Sequence, residues 1–457
     1  MKLTFLGAAE TVTGSKYLLS YGSKNILIDC GLFQGYKELR LKNWQAPPIH
    51  PKKVDALILT HAHIDHSGYL PLLMKNGYTG PIYATRGTKD LCSILLPDSG
   101  HIQEEDAFRA NKYGYSKHKP ALPLYTRLEA EKVLEQFFTI DFEDYYEIDQ
   151  DCQFRFLPAG HILGASIVEI KLKNKKIVFS GDLGRKSDPI MQEPTKIEGA
   201  DYLIVESTYG NRLHEKTSPY DELKSIISGT AKQGGTLIIP AFAVGRAQII
   251  LYYIHQLKIN HAIPNLPVFV DSPMATKVTR LLDHYVGEHR LTKKQCKEIG
   301  QTATYISTVE ESKQIDNSAM PSIIISASGM ATGGRVLHHL KAFASDPKNT
   351  ILFTGYQAGG TRGARMLNGE REIKIHGHMI PINARIESLD NISAHADYEE
   401  ILNWLSHFKH NPQSVFITHG ESQAANSLKD KIEAKFSWHC IIPTYMQTID
   451  LDHGKSK

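Results

Sequence analysis

The sequence predicts an α/β fold, and three observations predict it: short apolar runs rich in β-branched residues, helical patterns that follow several of them, and polar or glycine-rich turns at the run ends. Residues 54–60 (VDALILT), 177–180 (IVFS), 202–206 (YLIVE), 236–240 (TLIIP), 268–270 (VFV), 322–326 (SIIIS), 350–354 (TILFT) and 415–418 (VFIT) are continuous rather than alternating. Runs of this kind read as strands buried on both faces, as in a mainly parallel sheet. Helical periodicity is clearest at 245–256 and 334–343, each shortly after a strand-like run. Strands that alternate with helices indicate an α/β chain.

The turns divide the chain. Up to Glu206 the run ends carry Asp29, the His61 cluster, His161, Asp182 and Glu206. From about 209 to 372 they carry glycine instead, at 241–246 (AFAVGR), 326–334 (SASGMATGG) and 355–363 (GYQAGGTRG). Histidine motifs return at 393–397 (SAHAD) and 418–420 (THG). The expected organisation is a first domain over 1–208, an inserted domain over 209–372, and resumption of the first over 373–457. The polar stretch 98–150, rich in Lys, Glu and Tyr, reads as surface helices.

Composition narrows the class. The chain has 457 residues, 41% hydrophobic and 22% charged, enough for two or three domains with a large core. No apolar run is long enough to predict a membrane-spanning helix. The opening residues MKLTFLG enter a strand-like pattern without a signal-peptide pattern, so a cytoplasmic location is expected. The five cysteines are scattered with no Cys-x-x-Cys, which argues against a disulfide framework and a thiolate zinc site. A net charge of +3 neither demands nor excludes a nucleic-acid partner. The 22 histidines carry more information.

Three of them, together with one aspartate, open the metal argument. The run 54–60 ends in His61-Ala62-His63-Ile64-Asp65-His66. Alternate side chains of an extended segment point the same way, so His61 and His63 can share one metal. Asp65 and His66, at the turn, can reach a second. Imidazole with carboxylate suits zinc, with manganese or iron also accommodated. His161 (PAGH), Asp182 (SGD) and His419 (FITHG) follow three further runs. Singly each is a weak signal. Together they complete the ligand set for a two-metal site.

This set resembles the metallo-β-lactamase superfamily, with an αββα sandwich whose loops gather on one edge. By that resemblance Asp29 matches an acid that orients the histidine loop. His61, His63 and His161 hold one zinc, Asp65, His66 and His419 the other, and Asp182 bridges them. The segments 205–210 (VESTYG), 240–246, 326–334 and 393–397 further resemble the β-CASP nuclease branch. Glu206, His395 and His419 match its motifs A, B and C. The fold class implied is therefore a metallo-β-lactamase αββα sandwich with an inserted β-CASP α/β domain built on a mainly parallel sheet. The pattern is most similar to archaeal and bacterial relatives of the endonuclease subunit of the cleavage and polyadenylation factor. The N-terminal RNA-binding modules of some archaeal members and the long C-terminal domain of RNase J are not expected here.

A histidine at motif C implies RNA rather than DNA. The resemblance thus implies a zinc-dependent ribonuclease acting on single-stranded RNA, as an endonuclease, a 5′→3′ exonuclease or both. By the same resemblance, two zincs would supply a shared hydroxide for attack on phosphorus, with Asp65 positioning it. His395 acts as general acid with Glu206 holding its ring, leaving a 5′-phosphate and a 3′-hydroxyl. Glycine-rich turns between strand and helix support a phosphate ligand independently, because they present backbone N–H groups to an anion. Arg246, Ser328, Gly329, Gly333, Gly334 and Arg362 are the expected substrate contacts, with Arg365 adding charge. Each of these glycines taken alone more often serves packing or a tight turn.

Other features read as structural. His376 and His378 alternate as in a strand and are not expected to be ligands. The basic run 171–176 (KLKNKK) reads as a solvated hairpin tip. A small-molecule hydrolase of an ester, thioester or lactam is the rival enzyme class, disfavoured by the size of the insert. A non-catalytic scaffold is the rival outside enzymes, disfavoured because every expected ligand is present. No membrane partner is expected, and a homodimer is left open.

Overall fold

The computed structural model describes residues 1–355, 357 and 359–452. Positions 356 and 358, inside the glycine-rich stretch 355–363, lie outside the described residues. The chain forms two compact units. The first comprises 1–187, 191–213 and 395–457, and the second 188–190 and 214–394.

The first unit is a sandwich of two seven-stranded sheets. One has the spatial order Thr448–Asp450, Lys2–Phe5, Tyr17–Tyr21, Lys24–Ile28, Ala56–Ile58, Ile82–Ala84, Phe137–Thr139. The other runs Cys440–Ile441, Ser414–Thr418, Tyr202–Glu206, Lys175–Phe179, Ser166–Leu172, Cys152–Pro158, Tyr146–Asp149. Their facing sides meet in one core that includes Phe5, Leu19, Ile28 and Ile58 with Phe154, Ile170, Phe179 and Phe416. Phe5 and Phe416 touch across it with ring centroids 5.4 Å apart. Helices including Arg86–Tyr113 and Ser422–Phe436 complete the αββα arrangement. Ser414–Thr418 pairs in parallel with Tyr202–Glu206, so the part of the chain after the second unit is built into the first unit's sheet.

The second unit is organised on a six-stranded sheet in the order Thr304–Tyr305, Val268–Asp271, Ile323–Ser326, Leu237–Pro240, Thr350–Thr354, Arg385–Leu389. Every pairing in it is parallel. The central strands Ile323–Ser326 and Leu237–Pro240 are fully buried, which accounts for their continuous apolar sequence.

The structure departs from the sequence reading in three places. The chain stays in the second unit to residue 394 rather than 372, because Arg385–Leu389 pairs with Thr350–Thr354. The stretch 98–150 contains the end of a 28-residue helix and the helix Arg127–Val133, but also the strands Phe137–Thr139 and Tyr146–Asp149. Both are edge strands, and their exposed positions leave too little apolar alternation to announce them. Finally, His376 and His378 do not share a strand. Glu372–Ile375 and His378–Pro381 form a hairpin whose turn is His376-Gly377, both with positive φ. The basic run does form a hairpin tip, between Leu172 and Lys175. All five cysteines are free and buried. Among the described residues no helix is long and apolar enough to cross a membrane.

Candidate metal centre

The strand Ala56–Ile58 lies inside its sheet, between Lys24–Ile28 and Ile82–Ala84, and the chain after it turns into the short helix Ile64–Ser67. This turn brings four ligand-type side chains out of six residues. Three further strands, Cys152–Pro158, Lys175–Phe179 and Ser414–Thr418, deliver His161, Asp182 and His419 to the same place. His61, His66, His161, Asp182 and His419 are buried, and His63 and Asp65 are half-buried.

The ligand atoms fall into two groups. His61, His63, His161 and Asp182 form one, and Asp65, His66 and His419 another. In the first, His63 Nδ1 lies 3.2 Å from both His61 Nε2 and His161 Nε2. Asp182 Oδ2 lies 3.5 Å from His61 Nε2 and 3.6 Å from His161 Nε2. In the second, His66 Nε2 lies 2.9 Å from His419 Nε2, which is 3.4 Å from Asp65 Oδ2. Asp182 Oδ1 is 3.3 Å from His66 Nε2. Asp182 thus turns one oxygen to each group.

These separations fit metal co-ligands. Two nitrogens on one zinc, at ~2.0–2.1 Å and a tetrahedral angle, lie about 3.3 Å apart. Asp182 Oδ1 is buried, with His66 Nε2 at 3.3 Å and His419 Nδ1 at 3.6 Å but no well-formed hydrogen bond among the described residues, a costly state for a carboxylate oxygen that a cation would complete. Burial, reinforced by the neighbouring His66, pushes His61 well below the ordinary histidine range, and burial lowers His63 to about 4. Neutral imidazole is the form that ligates.

The groups behind these residues hold them in place. Asp29, with a left-handed backbone (φ 58°), accepts from the Thr60 amide at 2.8 Å and the Thr60 hydroxyl at 3.0 Å. Its Oδ2 lies 2.7 Å from His66 Nδ1. The Thr60 hydroxyl also sits 3.1 Å from His61 Nδ1, so one threonine spans both histidines. Thr208 Oγ1 lies 3.2 Å from His419 Nδ1. At Gly31 a Cβ would fall 1.5 Å from the Asp65 carbonyl oxygen, so only glycine allows the two loops to touch. The sequence reading found Asp29 but missed Thr60 and Thr208. Their positions at the end of a strand-like run and in the VESTYG segment were the available signals.

His395 stands beside the first group, its ring centroid 4.5 Å from that of His161. Its Nδ1 is 3.3 Å from Glu206 Oε2 and 4.0 Å from Asp182 Oδ2. Burial opposes its protonation, but Glu206, together with Asp182 and Asp65, outweighs burial and holds His395 above the ordinary histidine range. Glu206 is itself fixed by the amides of Leu183 at 2.5 Å and Thr208 at 3.4 Å.

Within the second unit, the glycine-rich turns follow three adjacent strands. The Ser328 hydroxyl accepts from the Thr332 amide at 3.0 Å and the Gly333 amide at 3.4 Å, closing the loop on itself. A Cβ at Gly329 would meet the Phe242 ring at 2.9 Å, and one at Gly334 the Ala327 carbonyl at 2.8 Å. Both glycines are therefore required for packing. Gly333 has open space where a Cβ would go. Arg362 donates to the carbonyls of Lys374 at 2.8 Å, Ala331 at 3.2 Å and Thr332 at 3.1 Å. Arg246 is buried, with its guanidinium nitrogens against Gly355. Arg362 thus braces the turns in this structure. Arg365 pairs with Glu370.

A buried charge network lies beneath these turns and was not anticipated from sequence. Asp271 accepts from Ser312 Oγ at 2.5 Å, Arg335 Nη1 at 2.5 Å and His339 Nε2 at 2.9 Å, while His339 Nδ1 donates to Asp316 at 2.6 Å. Burial opposes a charge on His339, yet the two carboxylates hold it up at about 9.

Comparison with known proteins agrees with this architecture. Three family profiles match: the metallo-beta-lactamase superfamily over 11–223, the Beta-Casp domain over 247–366, and the Zn-dependent metallo-hydrolase RNA specificity domain over 379–443. The chain is 35% identical over 433 residues to ribonuclease TTHA0252 of Thermus thermophilus, covering 93% of this chain and 94% of that one. It is 31% identical to the transcription termination factor FttA of Methanosarcina mazei, covering 99% of this chain and 72% of that one. A crystal structure of a protein of unknown function from Enterococcus faecalis V583 shares the fold, with TM-score 0.56, 14% identity, and coverage of 98% and 99%. With two sandwiched sheets, an all-parallel six-stranded sheet in the second unit and matched profiles along the chain, this protein belongs to the β-CASP family of the metallo-β-lactamase superfamily.

Proposed function

We propose that this protein is a zinc-dependent ribonuclease that hydrolyses phosphodiester bonds of single-stranded RNA. The observation that carries the reading is the His395–Glu206 pair set against a double imidazole–carboxylate cluster centred on Asp182. Similarity to a ribonuclease over nearly the full chain, and the match to an RNA specificity domain, support RNA as the substrate.

His61, His63 and His161 would hold one zinc, Asp65, His66 and His419 the other, with Asp182 between them. Zinc in such a site supplies Lewis acidity toward phosphate oxygens and lowers the pKa of water to near neutrality. The chain supplies the rest. Asp29 and Thr60 fix the rings of His61 and His66, so the ligands are held before substrate arrives. Glu206 engages His395 at Nδ1, which assigns proton donation to Nε2. Donation to the departing 3′-oxygen leaves a 3′-hydroxyl on one product and a 5′-phosphate on the other.

The test uses 5′-labelled single-stranded RNA with the purified protein. Cleavage that stops with EDTA and in His63→Ala is expected. Cleavage that survives both overturns the reading, as does turnover of nitrocefin or a thioester with no turnover of RNA. Product sizing separates the two modes: released mononucleotides mean 5′→3′ exonuclease action, and internal fragments mean endonuclease action.

A further inference from the structure

The helix Arg86–Tyr113 is 28 residues long, about 42 Å at 1.5 Å per residue. Its first turn is tied to the loop that carries His161, since Thr85 and Thr88 both donate to the Gly164 carbonyl, at 2.7 and 2.8 Å. Its far end projects away from that loop and closes on Gly114 in a left-handed cap. There the surface changes character. Phe108, Tyr113 and Tyr115 are each about two-thirds exposed, at 66%, 68% and 66%. Several open rings gathered at one place, unlike a single exposed one, mark an interaction surface.

The charge around the rings is one-sided. From Ala107 to Leu128 the sequence has no Asp or Glu, while it carries Arg109, Lys112, Lys117, Lys119 and Arg127. Arg109 pairs with Glu105 and Arg127 with Glu131. Among the described residues no ion pair engages Lys112, Lys117 or Lys119. Lys112 instead lies 6.0 Å from the Phe108 ring centroid and 5.6 Å from that of Tyr113. The protrusion is held in shape at its base. Asn111 donates to the Ala121 carbonyl at 2.9 Å and accepts from the Ala121 amide at 2.7 Å. Open rings interleaved with uncommitted cations on a braced loop match what single-stranded nucleic acid needs: faces for stacking bases and charge for phosphates.

We propose that the knob formed by Phe108, Lys112, Tyr113, Tyr115, Lys117 and Lys119 is a remote binding site for the single-stranded RNA that the metal centre cleaves. This rests on the ribonuclease reading for the identity of the strand. The helix sets the spacing. About 42 Å corresponds to roughly 12 nucleotides at ~3.4 Å per stacked nucleotide. Short RNA can therefore reach the centre without touching the knob, whereas long RNA engages both.

The experiment compares a 40-nucleotide unstructured RNA with a 10-nucleotide RNA. Affinity is measured by fluorescence anisotropy and cleavage by kcat and KM, on the wild type, Tyr113→Ala/Tyr115→Ala and Lys117→Glu/Lys119→Glu. The substituted side chains are exposed, and far-ultraviolet circular dichroism checks the fold. The expected result is about five- to tenfold weaker binding of the 40-mer, unchanged binding and cleavage of the 10-mer, and a shallower salt dependence for the lysine variant. Tyr113→Phe/Tyr115→Phe keeps the rings and should restore binding. Variants that keep the wild-type ratio of long to short affinity overturn the proposal. So does a wild type that binds both lengths equally, or a knob substitution that changes only the mass in solution, which would assign the surface to a second copy of the chain. Failure of the wild type to cleave either RNA refutes the ribonuclease reading instead, and the anisotropy ratio still decides the knob.

Discussion

Strand ends in the first unit and strand ends in the second do different work. In the first, side chains meet: seven ligand-type residues, with Asp29, Thr60 and Thr208 behind them, converge in two groups whose ligand atoms lie within 4.8 Å of one another. In the second, backbone meets: turns at 241–246 and 327–335 fold closely because glycine leaves room, and Arg362 braces the latter. Charge in the second unit is buried below the turns, on Asp271 and His339. One region acts through the groups it presents, the other through the groups it omits. Substitution should therefore hurt the two regions by different routes.

The largest effect is expected at the residue shared by both ligand groups. Asp182→Ala should lose both metal equivalents by elemental analysis and lower cleavage on the order of 10⁴-fold or more, since metal ions contribute several kcal/mol and each decade is about 1.4 kcal/mol. Retention of either equivalent would break the picture of one carboxylate serving two ions. His395→Ala should keep its metal and lose turnover about 10³-fold, the scale of a general acid. Loss of metal in that variant would make His395 a ligand.

The second unit should respond in stability. His339 rises from the ordinary 6.5 to about 9 on folding, so its contribution is complete below pH 6.5, declines through the interval, and is gone above about 9. Urea unfolding followed by circular dichroism should show about 3 kcal/mol less stability at pH 9.5 than at pH 6 from this group. His339→Gln should flatten that slope, and an unchanged slope would remove the network from the account. The smallest pair of effects contrasts one substitution in two places. Gly31→Ala should cost about 1–3 kcal/mol and weaken metal binding, because the Asp65 loop must shift. Gly333→Ala, with open space around it, should change stability by less than ~0.5 kcal/mol, so any rise in KM for RNA reads a substrate contact directly.

The same contrast explains what the sequence disclosed. Buried parallel strands such as Tyr202–Glu206 and Thr350–Thr354 are continuous apolar runs and were legible to the residue. The ligand-type side chains were legible because metal chemistry restricts residue type and places it after a strand. Edge strands such as Tyr146–Asp149 were not, since nothing covers enough of them to impose a pattern. Thr60 and Thr208 were missed because a hydroxyl that orients a ring has no characteristic spacing. The Asp271–His339 pair joins residues 68 apart in sequence, and His339 looks like any position of an amphipathic helix. Arg362 was expected at phosphate because arginine beside glycine suggests an anion, but three backbone carbonyls engage it here.

His66 and His419 touch at 2.9 Å although 353 residues separate them. A ribosome delivers the chain from its N-terminus, so everything the first ligand group requires exists once residue 182 has been made. The second group waits until the entire second unit and the strand Ser414–Thr418 have followed. A nascent or prematurely terminated chain carries half a centre at most. Hydrolytic competence is thus a late event in the life of each molecule, timed by the order of its segments.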